Sequence, residues 1–513
     1  MRKRHKIYKH KIKKILREKE IVETYTVKSD YVDARIEILK EGENASGYKL
    51  VMPEISPVTK ALLEEVRHDL ITEVAISAIE MLDPKVFTGL KQKFNDRAIK
   101  VLDEKVPGIK EATKKFLIGR LMQEMLGLDK LEFLLNDVNL EEIVIVTSGE
   151  YVRVYHKKYG WMETNVKVKS EEEILNYSSI IARRVGRQIT TLNPLLDAHL
   201  VTGDRANAVL FPISTKGNTL TIRKFRRDPW TVTDLIENNS CSSDIFALLW
   251  MAIEYELNVL FSGGTASGKT TFLNVCMPFI PPNHRIISIE DTRELMLPEY
   301  LYWAPLATRQ PNPEGKGEIS MLDLLVNSLR MRPDRIILGE MRRQKEAEVL
   351  FEAMHTGHSV YATVHADTAA ETISRLVNPP LNVPANLLQA VNLNVVLFRD
   401  RRKGIRRVSQ VAEFIVEEGN ARANIIYRLK PISDKIVPHS PSARFFEDIS
   451  RHTGMSQSEI YKDLGQRKKI LLWMLKNNIR SIEEVGRVLY DYYINREKLL
   501  ELVDKNKKPL FEK

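Results

Sequence analysis

Cysteine is nearly absent from this sequence. Cys241 and Cys276 are the only two among 513 residues, and they form no C-x-x-C pair. Neither a disulfide framework nor a cysteine-based zinc site is therefore indicated. Long apolar runs are also lacking. The run at residues 470–475 is far too short to cross a bilayer, and no apolar core follows the basic start as in a secretory signal. These absences predict a soluble, cytoplasmic protein.

Positive charge is concentrated at one end of the chain. The net charge is +10, and the first 19 residues hold ten lysines and arginines but one acid, so the remainder is nearly neutral. A basic arm, residues 1–29, can bind an anionic membrane surface, nucleic acid or an acidic partner, or remain a solvated tail. Ile12, Ile15 and Leu16 share one face of a helix, which favours an ordered contact.

The strongest motif lies at residues 257–271. An apolar run predicts a buried strand, residues 263–270 match G-x-x-x-x-G-K-[ST], and a helical pattern follows. This is the strand–loop–helix setting of a phosphate-binding loop, in which glycines let backbone N–H groups surround phosphate oxygens. The helix N-terminus adds partial positive charge. The predicted nucleotide-binding residues are Gly263, Gly264, Thr265, Ala266, Ser267, Gly268, Lys269, Thr270 and Thr271.

Two later stretches indicate that the nucleotide, ATP or GTP, is hydrolysed. Each is an apolar strand that ends in acids, Glu290 and Asp291 in the first and Glu340 in the second. Ligands of open parallel sheets bind beyond the carboxyl ends of the strands, so these carboxylates can organise Mg²⁺ and polarise a water. Lys269 is expected to reach the β- and γ-phosphates, and the Thr270 hydroxyl is expected to ligate Mg²⁺. The alternative is that the acids are solvated loop residues.

Two histidines, His358 and His365, bracket a further apolar strand. Their separation puts the side chains at opposite ends of the strand, and no third ligand is evident, which argues against a metal site. Hydrogen bonding to phosphate and a packed structural role remain as interpretations, and the first is favoured.

The patterns predict an α/β protein with five segments. They are the arm at 1–29, an α+β N-terminal domain at 30–226 that is helical at about 57–135, a linker at 227–233, an ATPase domain at 234–430 and a helical extension at 431–513. The ATPase domain is expected to be an open parallel sheet, because helices alternate with short apolar strands at 259–261, 286–289, 335–338, 359–363 and 395–398.

The motifs at residues 263–270, 289–291, 329–342 and 356–365 resemble, in this order, those of the type II/type IV secretion ATPase superfamily. The resemblance implies a RecA-like C-terminal domain and Mg-ATP hydrolysis by a homo-hexamer. It implies that Glu290 activates water, that Glu340 organises Mg²⁺ through water, and that His358 and His365 form a histidine box. N-terminal-domain arginines reach the nucleotide in this family, and those that match are Arg205 and Arg223, with Arg330 a weaker match. Arg343 departs from the family, where Asp is common.

Residues 309–323 and 329–334 are similar to archaellum motor ATPases and archaeal pilus ATPases. The favoured expectation is an archaellum motor that drives filament assembly and rotation with a polytopic platform protein at the cytoplasmic face of the membrane. A pilus-assembly or type II secretion ATPase is the alternative. A nucleic-acid translocase is disfavoured, because no aromatic-rich basic groove is evident. A non-hydrolysing scaffold is disfavoured by the pair Glu290 and Glu340.

Overall fold

The computed structural model describes residues 20–41, 44–73, 84–200, 203–224, 229–311, 315–400 and 402–508. Most of the basic arm and part of the predicted linker therefore lie outside the described residues. The chain divides into two compact units, Met1–Arg227 and Asp228–Lys513. No helix in the described ranges combines the length and the apolar character that crossing a membrane requires.

Unit 1 is built on a mixed sheet in the order β1-β2-β3-β6-β5-β4-β9-β8-β7, antiparallel except for the β3–β6 pair. Its strands are β1 (Glu20–Ser29), β2 (Val32–Glu41), β3 (Asn44–Val51), β4 (Leu140–Ile145), β5 (Tyr151–His156), β6 (Gly160–Lys167), β7 (Leu195–His199), β8 (Arg205–Val209) and β9 (Thr219–Arg223). Its helices are α1 (Pro57–Glu73), α2 (Pro84–Lys105), α3 (Glu111–Met125), α4 (Leu131–Asn136) and α5 (Glu171–Arg184). The predicted α+β character is confirmed, and β4 and β5 form an antiparallel hairpin.

Alternation along the strands of unit 1 buries one face of the sheet and exposes the other. In β8 and β9 the residues Ala206, Ala208, Leu220 and Ile222 are buried. The residues that alternate with these buried ones, which include Arg205 and Arg223, point to the opposite, more exposed face. Helix α5, which follows β6, is capped at its start: Ser170 Oγ accepts the N–H of Glu173, and Glu173 accepts the N–H of Lys169.

Unit 2 is built on a second nine-stranded sheet, in the order β12-β11-β13-β14-β10-β15-β16-β17-β18. Its strands are β10 (Val259–Gly263), β11 (Arg285–Glu290), β12 (Tyr302–Ala307), β13 (Arg335–Leu338), β14 (Ser359–Val364), β15 (Leu393–Asp400), β16 (Ile405–Glu417), β17 (Asn420–Lys430) and β18 (Lys435–Pro438). Its helices are α6 (Val232–Glu237), α7 (Ser243–Glu254), α8 (Lys269–Cys276), α9 (Met321–Ser328), α10 (Gln344–His355), α11 (Ala369–Val377), α12 (Phe445–Thr453), α13 (Gln457–Lys476), α14 (Ile482–Ile494) and α15 (Arg496–Asp504).

Six neighbouring strands of this sheet, from β12 to β15, run parallel, and β15 to β18 continue it as an antiparallel meander. All five predicted strands of the parallel sheet are confirmed. The carboxyl ends of β10, β11, β13 and β14 lie at one edge of the sheet, because these strands are parallel and paired in register. That edge brings together motifs up to about a hundred residues apart in sequence.

Candidate active site

The phosphate-loop motif forms a tight turn between β10 and α8. A Cβ atom at Gly263 would collide with Ser267 Oγ and with the Leu397 carbonyl oxygen. A Cβ atom at Gly264 would lie 2.6 Å from Asp367 Oδ1. The first two glycines of the motif are therefore needed for close packing of the loop, beyond the freedom that they give the backbone.

Lys269, the first residue of α8, is buried within this loop. Its Nζ donates to the carbonyl oxygens of Gly263 and Gly264, both at 2.9 Å, and lies 3.5 Å from His365 Nδ1. Burial lowers the pKa of Lys269, and the charge of Glu340 opposes that shift. The ammonium group therefore stands at the loop surface that the motif assigns to phosphate.

Glu340 follows β13 and is held by two side chains. Arg342 donates from Nε and Nη2 to Glu340 Oε2, at 2.9 and 2.6 Å. His365 Nε2 lies 3.2 Å from Glu340 Oε1. Burial, followed by the charge of Lys269, lowers the pKa of His365. A neutral ring with its proton on Nε2 satisfies both contacts, since Nδ1 then accepts from Lys269 while Nε2 donates to Glu340.

Glu290, at the end of β11, is almost fully buried. Its Oε1 accepts the backbone N–H groups of Glu294 and Leu295, at 2.9 and 3.1 Å, whereas Oε2 has no hydrogen-bond partner among the described residues. Burial raises the pKa of Glu290 to about 7, against the pull of those two N–H groups. A Cβ atom at Gly339 would lie 3.4 Å from Glu290 Cγ, so the glycine at this position lets the two strand ends approach closely.

Not every predicted site residue lies at this edge. Unit 2 brings together the loop, Lys269, Glu290, Glu340 and His365. His358 precedes β14 and therefore stands at the other end of that strand, where its Nδ1 lies 3.3 Å from Thr356 Oγ1. The structure does not bring His358 to the phosphate loop.

Arg205 and Arg223 belong to unit 1, where they are direct cross-strand neighbours on β8 and β9. Arg205 makes a two-pronged pair with Asp197, Nε to Oδ1 at 2.9 Å and Nη2 to Oδ2 at 2.7 Å. Arg223 lies opposite Glu142 of β4. Burial raises the pKa of Glu142, and the charge of Arg223 opposes that rise. The two arginines lie side by side on the exposed face of this sheet, each beside a carboxylate.

Two residues beside the loop were missed by sequence reasoning. Arg406, on β16, donates from Nε to the Ala266 carbonyl oxygen at 3.1 Å. Asp367, after β14, packs against Gly264. Both lie about a hundred residues or more beyond the loop in sequence, and the strand order alone brings them to it. No local motif signals either one.

The residues present fit a Mg–nucleotide. Ser267 Oγ is buried without a hydrogen-bond partner among the described residues, as expected of a hydroxyl in a loop that surrounds an anion. Oxygen donors suited to Mg²⁺ are the Thr270 hydroxyl and, through water, Glu340. In the described ranges no three His, Cys, Asp or Glu side chains converge on one metal position. Thr270 and Glu340 are too few ligands for a metal held by protein atoms alone. They suit Mg²⁺, which keeps most of its water ligands and binds substrate phosphates.

Comparison with known proteins supports the family resemblance that the order of the motifs indicates. The family described as Type II/IV secretion system protein matches residues 199–416. The uncharacterised protein MJ0900 of Methanocaldococcus jannaschii is 35% identical over 414 residues, which cover 79% of this chain and 74% of that protein. The type IV secretion system protein VirB11 of Bartonella henselae is 29% identical over 284 residues, covering 48% and 78%.

Among solved structures, the ATPase DotB of Legionella pneumophila matches with a TM-score of 0.39 and 18% identity, covering 72% of this chain and 93% of that one. The family match spans the phosphate loop, both acidic strand ends and the histidine stretch. The chain belongs to the type II/IV secretion ATPase superfamily.

Proposed function

We propose that this protein is a Mg-ATP-hydrolysing motor that works as a ring of six copies. We infer that it powers assembly, and rotation, of an archaeal type IV pilus-like filament, the archaellum. The similarity to an archaeal protein over most of both chains, together with the archaellum-like stretches at residues 309–323 and 329–334, supports this assignment. The name of the Bartonella relative supports the broader role in a secretion machine.

One observation carries the enzymatic part of the proposal. A phosphate-binding loop with its lysine, a buried carboxyl group and a second, cation-held carboxylate meet at one edge of a parallel sheet. In this proposal Lys269 and the loop N–H groups bind the phosphates. Thr270 and Glu340 hold Mg²⁺, which neutralises phosphate charge when bound. Glu290 or Glu340 accepts the proton of the attacking water.

Arg205 and Arg223 complete the proposed reaction from unit 1. Guanidinium groups supplied to a transferring phosphoryl group stabilise the charge that develops on it, and this can be worth about a thousandfold or more in rate. Their position side by side on an uncovered sheet face supports that role. The ion pair with Asp197 would fix where Arg205 points, and the position opposite Glu142 would fix where Arg223 points.

The proposed partners follow from the family. They are five further copies of the chain, a polytopic membrane platform protein and other components of the filament motor. The protein would work at the cytoplasmic face of the membrane, with residues 1–29 on anionic lipid. An archaeal pilus-assembly or type II secretion ATPase is the alternative, and it uses the same chemistry.

The first test is substitution of Lys269. We expect Lys269→Ala to abolish ATP turnover, because the ammonium that contacts the β- and γ-phosphates is removed. Phosphate release from purified full-length protein measures this. Lys345→Ala, an exposed lysine on α10, is the matched control and should leave turnover within twofold of wild type. Wild-type turnover in Lys269→Ala would refute the assignment of the loop.

The same assay separates a membrane motor from a nucleic-acid translocase. Turnover is compared with no addition, with vesicles of acidic phospholipid and with single-stranded DNA, and ring size is followed by native mass spectrometry. Stimulation by vesicles and six-membered rings are expected. Stimulation by DNA alone would reverse the choice of function.

A further inference from the structure

Arg342 contacts two different carboxylates at the edge of the sheet in unit 2. Besides its two bonds to Glu340 Oε2, its Nη1 donates to Asp291 Oδ2 at 2.6 Å. Asp291 Oδ1 in turn accepts from Thr308 Oγ1 at 3.2 Å. The guanidinium therefore joins the residue that follows β11 to the carboxylate that follows β13.

The backbone of Arg342 is fixed as well. Its N–H donates to Glu346 Oε2 at 3.1 Å, at the start of α10. Glu346 is buried, so this anchor belongs to the packed core of unit 2 rather than to a loose loop. Both ends of the side chain thus have defined positions.

The energetics do not favour a purely structural role. More than half of the Arg342 side chain is exposed, at 57%. Exposed ion pairs contribute on the order of 0–1 kcal/mol, because solvent screens them and ordering two side chains costs entropy. The network links two carboxylates at the open end of the site, where solvent and substrate also reach the guanidinium, and this location favours a functional role.

The acceptor sites of Glu340 supply that explanation. An ionised carboxylate has about four lone-pair positions, two on each oxygen. Arg342 fills both on Oε2, and His365 fills one on Oε1. One acceptor position, on Oε1, is left for a water molecule. With Arg342 on Oε2 and His365 on Oε1, both oxygens are anchored, which opposes rotation of the carboxylate about its terminal bond.

We propose that Arg342 is a positioning residue for the hydrolysis reaction: it fixes the Glu340 carboxylate so that a single lone pair of Oε1 faces the reacting water. This inference rests on the proposed function, since it assigns Arg342 to the same site. Arg342 acts through Glu340 and does not itself bind the nucleotide. Asp291 orients the guanidinium from the other side.

The alternative is that Arg342 contacts a phosphate directly, and a double-mutant cycle separates the two roles. A residue that acts only through Glu340 loses its effect once Glu340 is disabled, whereas a phosphate contact keeps its effect. The variants are Arg342→Gln, Glu340→Gln and the double variant. The conservative Arg342→Lys presents one ammonium in place of the two-pronged fork.

Three measurements are made on each full-length variant. They are kcat for ATP hydrolysis, the Kd of a fluorescent ATP analogue with Mg²⁺ and with EDTA, and the unfolding midpoint of the nucleotide-free protein. Arg343→Gln is the matched control, because Arg343 is the next residue and its side chain is exposed. It should match wild type in all three measurements.

We expect Arg342→Gln to lower kcat about 10- to 100-fold, on the scale of a misplaced proton acceptor, and to change the Kd measured in EDTA less than about twofold. Any loss of binding with Mg²⁺ should not exceed that of Glu340→Gln. Arg342→Lys should lie between that variant and wild type. In the Glu340→Gln background, Arg342→Gln should cause no further loss.

Two results would overturn the inference while leaving ATP hydrolysis in place. One is wild-type kcat in Arg342→Gln. The other is weakened nucleotide binding in EDTA, where Mg²⁺ held by Glu340 plays no part, or a loss that multiplies with that of Glu340→Gln; either would show direct contact with phosphate. A wild-type protein without any ATP turnover would instead overturn the proposed function, and this inference with it.

Discussion

At the scale of single residues, Glu290 combines an unfavourable environment with a chemically useful one. Burial raises its pKa from 4.5 to about 7, so the folded protein holds a proton that the unfolded chain releases between those values. The group therefore stabilises the folded state below about pH 4.5 relative to higher pH, and that contribution is lost as pH rises to 7. A buried carboxyl group that titrates near neutrality is also well suited to accept a proton.

We predict that Glu290→Gln makes the nucleotide-free protein more stable at pH 8 while it lowers ATP turnover. The expected gain is up to about 3 kcal/mol, from the rise of the pKa to about 7, because glutamine carries no charge to bury. The thermal unfolding midpoint of variant and wild type is compared at pH 4 and pH 8. The difference should appear at pH 8 and nearly vanish at pH 4.

Glu294→Gln serves as the control, because Glu294 is exposed and four residues away on the same segment. It should leave both midpoints unchanged. Equal stability of Glu290→Gln and wild type at pH 8 would mean that burial of the ionised Glu290 carboxylate does not destabilise the protein.

Some residues of the site are identified by a short sequence motif, and others are not. The loop, Glu290 and Glu340 could be predicted because each belongs to a short motif at the end of an apolar strand. The contact of Arg406 with Ala266 depends on the pairing of β15 with β16 and on the position of β15 beside β10. A single sequence does not specify that arrangement, so such partners stay hidden.

At the scale of elements, the buried parallel strands were predictable and the edge strand was not. Short, mostly apolar runs of three to six residues marked β10, β11, β13, β14 and β15. By contrast β12 contains Pro305 and is mostly half-buried or exposed. Proline donates no ladder hydrogen bond, which places such a strand at a sheet edge and weakens its signal.

The start of α12 depends on a carboxylate from a strand. Glu413 of β16 is fully buried and accepts from Ser442 Oγ, from Asn424 Nδ2 and from the N–H groups of residues 443–445. Burial alone would raise the pKa of Glu413, but these hydrogen bonds, that of Ser442 first, outweigh it and lower the pKa. The contribution to stability is therefore present above the ordinary value of 4.5 and lost as pH falls further.

We predict that Glu413→Gln destabilises the protein by about 2–4 kcal/mol at pH 7, because an amide NH₂ would face donors that now bind a carboxylate oxygen. Thermal unfolding measures the effect. Glu417→Gln, at the exposed end of the same strand, should shift the unfolding midpoint by less than about 1 °C, because solvent screens its pair with Arg422. A loss as small as that of Glu417→Gln would show that the buried carboxylate does not hold α12.

At the scale of the whole molecule, the core of unit 2 extends beyond the family match. That match ends at residue 416, yet Trp473, Met474 and Tyr492 of the C-terminal helices share one hydrophobic cluster with Trp250 and Phe279. The sequence predicted the helices but not where they pack, because an amphipathic pattern does not name its partner. Unit 2 is thus a sheet that depends on its C-terminal helices.

Arg467 of α13 makes that dependence testable. Its guanidinium is fully buried, pairs with Glu254 at 2.6 Å and with Asp463 at 2.7 Å, and lies 5.1 Å from the Trp250 ring centre. Glu254 ends α7, so the arginine joins the helix before β10 to the C-terminal helices. Removing one partner of a buried pair leaves the other charge without compensation.

We predict that Arg467→Ala costs about 3 kcal/mol or more in unfolding free energy, on the scale of a broken buried ion pair. It should also weaken ATP binding when the temperature approaches the lowered midpoint, because α7 and β10 belong to the same hydrophobic cluster as the C-terminal helices. Arg451→Ala, which removes an exposed arginine paired with Glu447, should change the midpoint by less than about 1 °C. If both variants unfold like wild type, the C-terminal helices are an appendage, and the ATPase sheet would have to be stable without them.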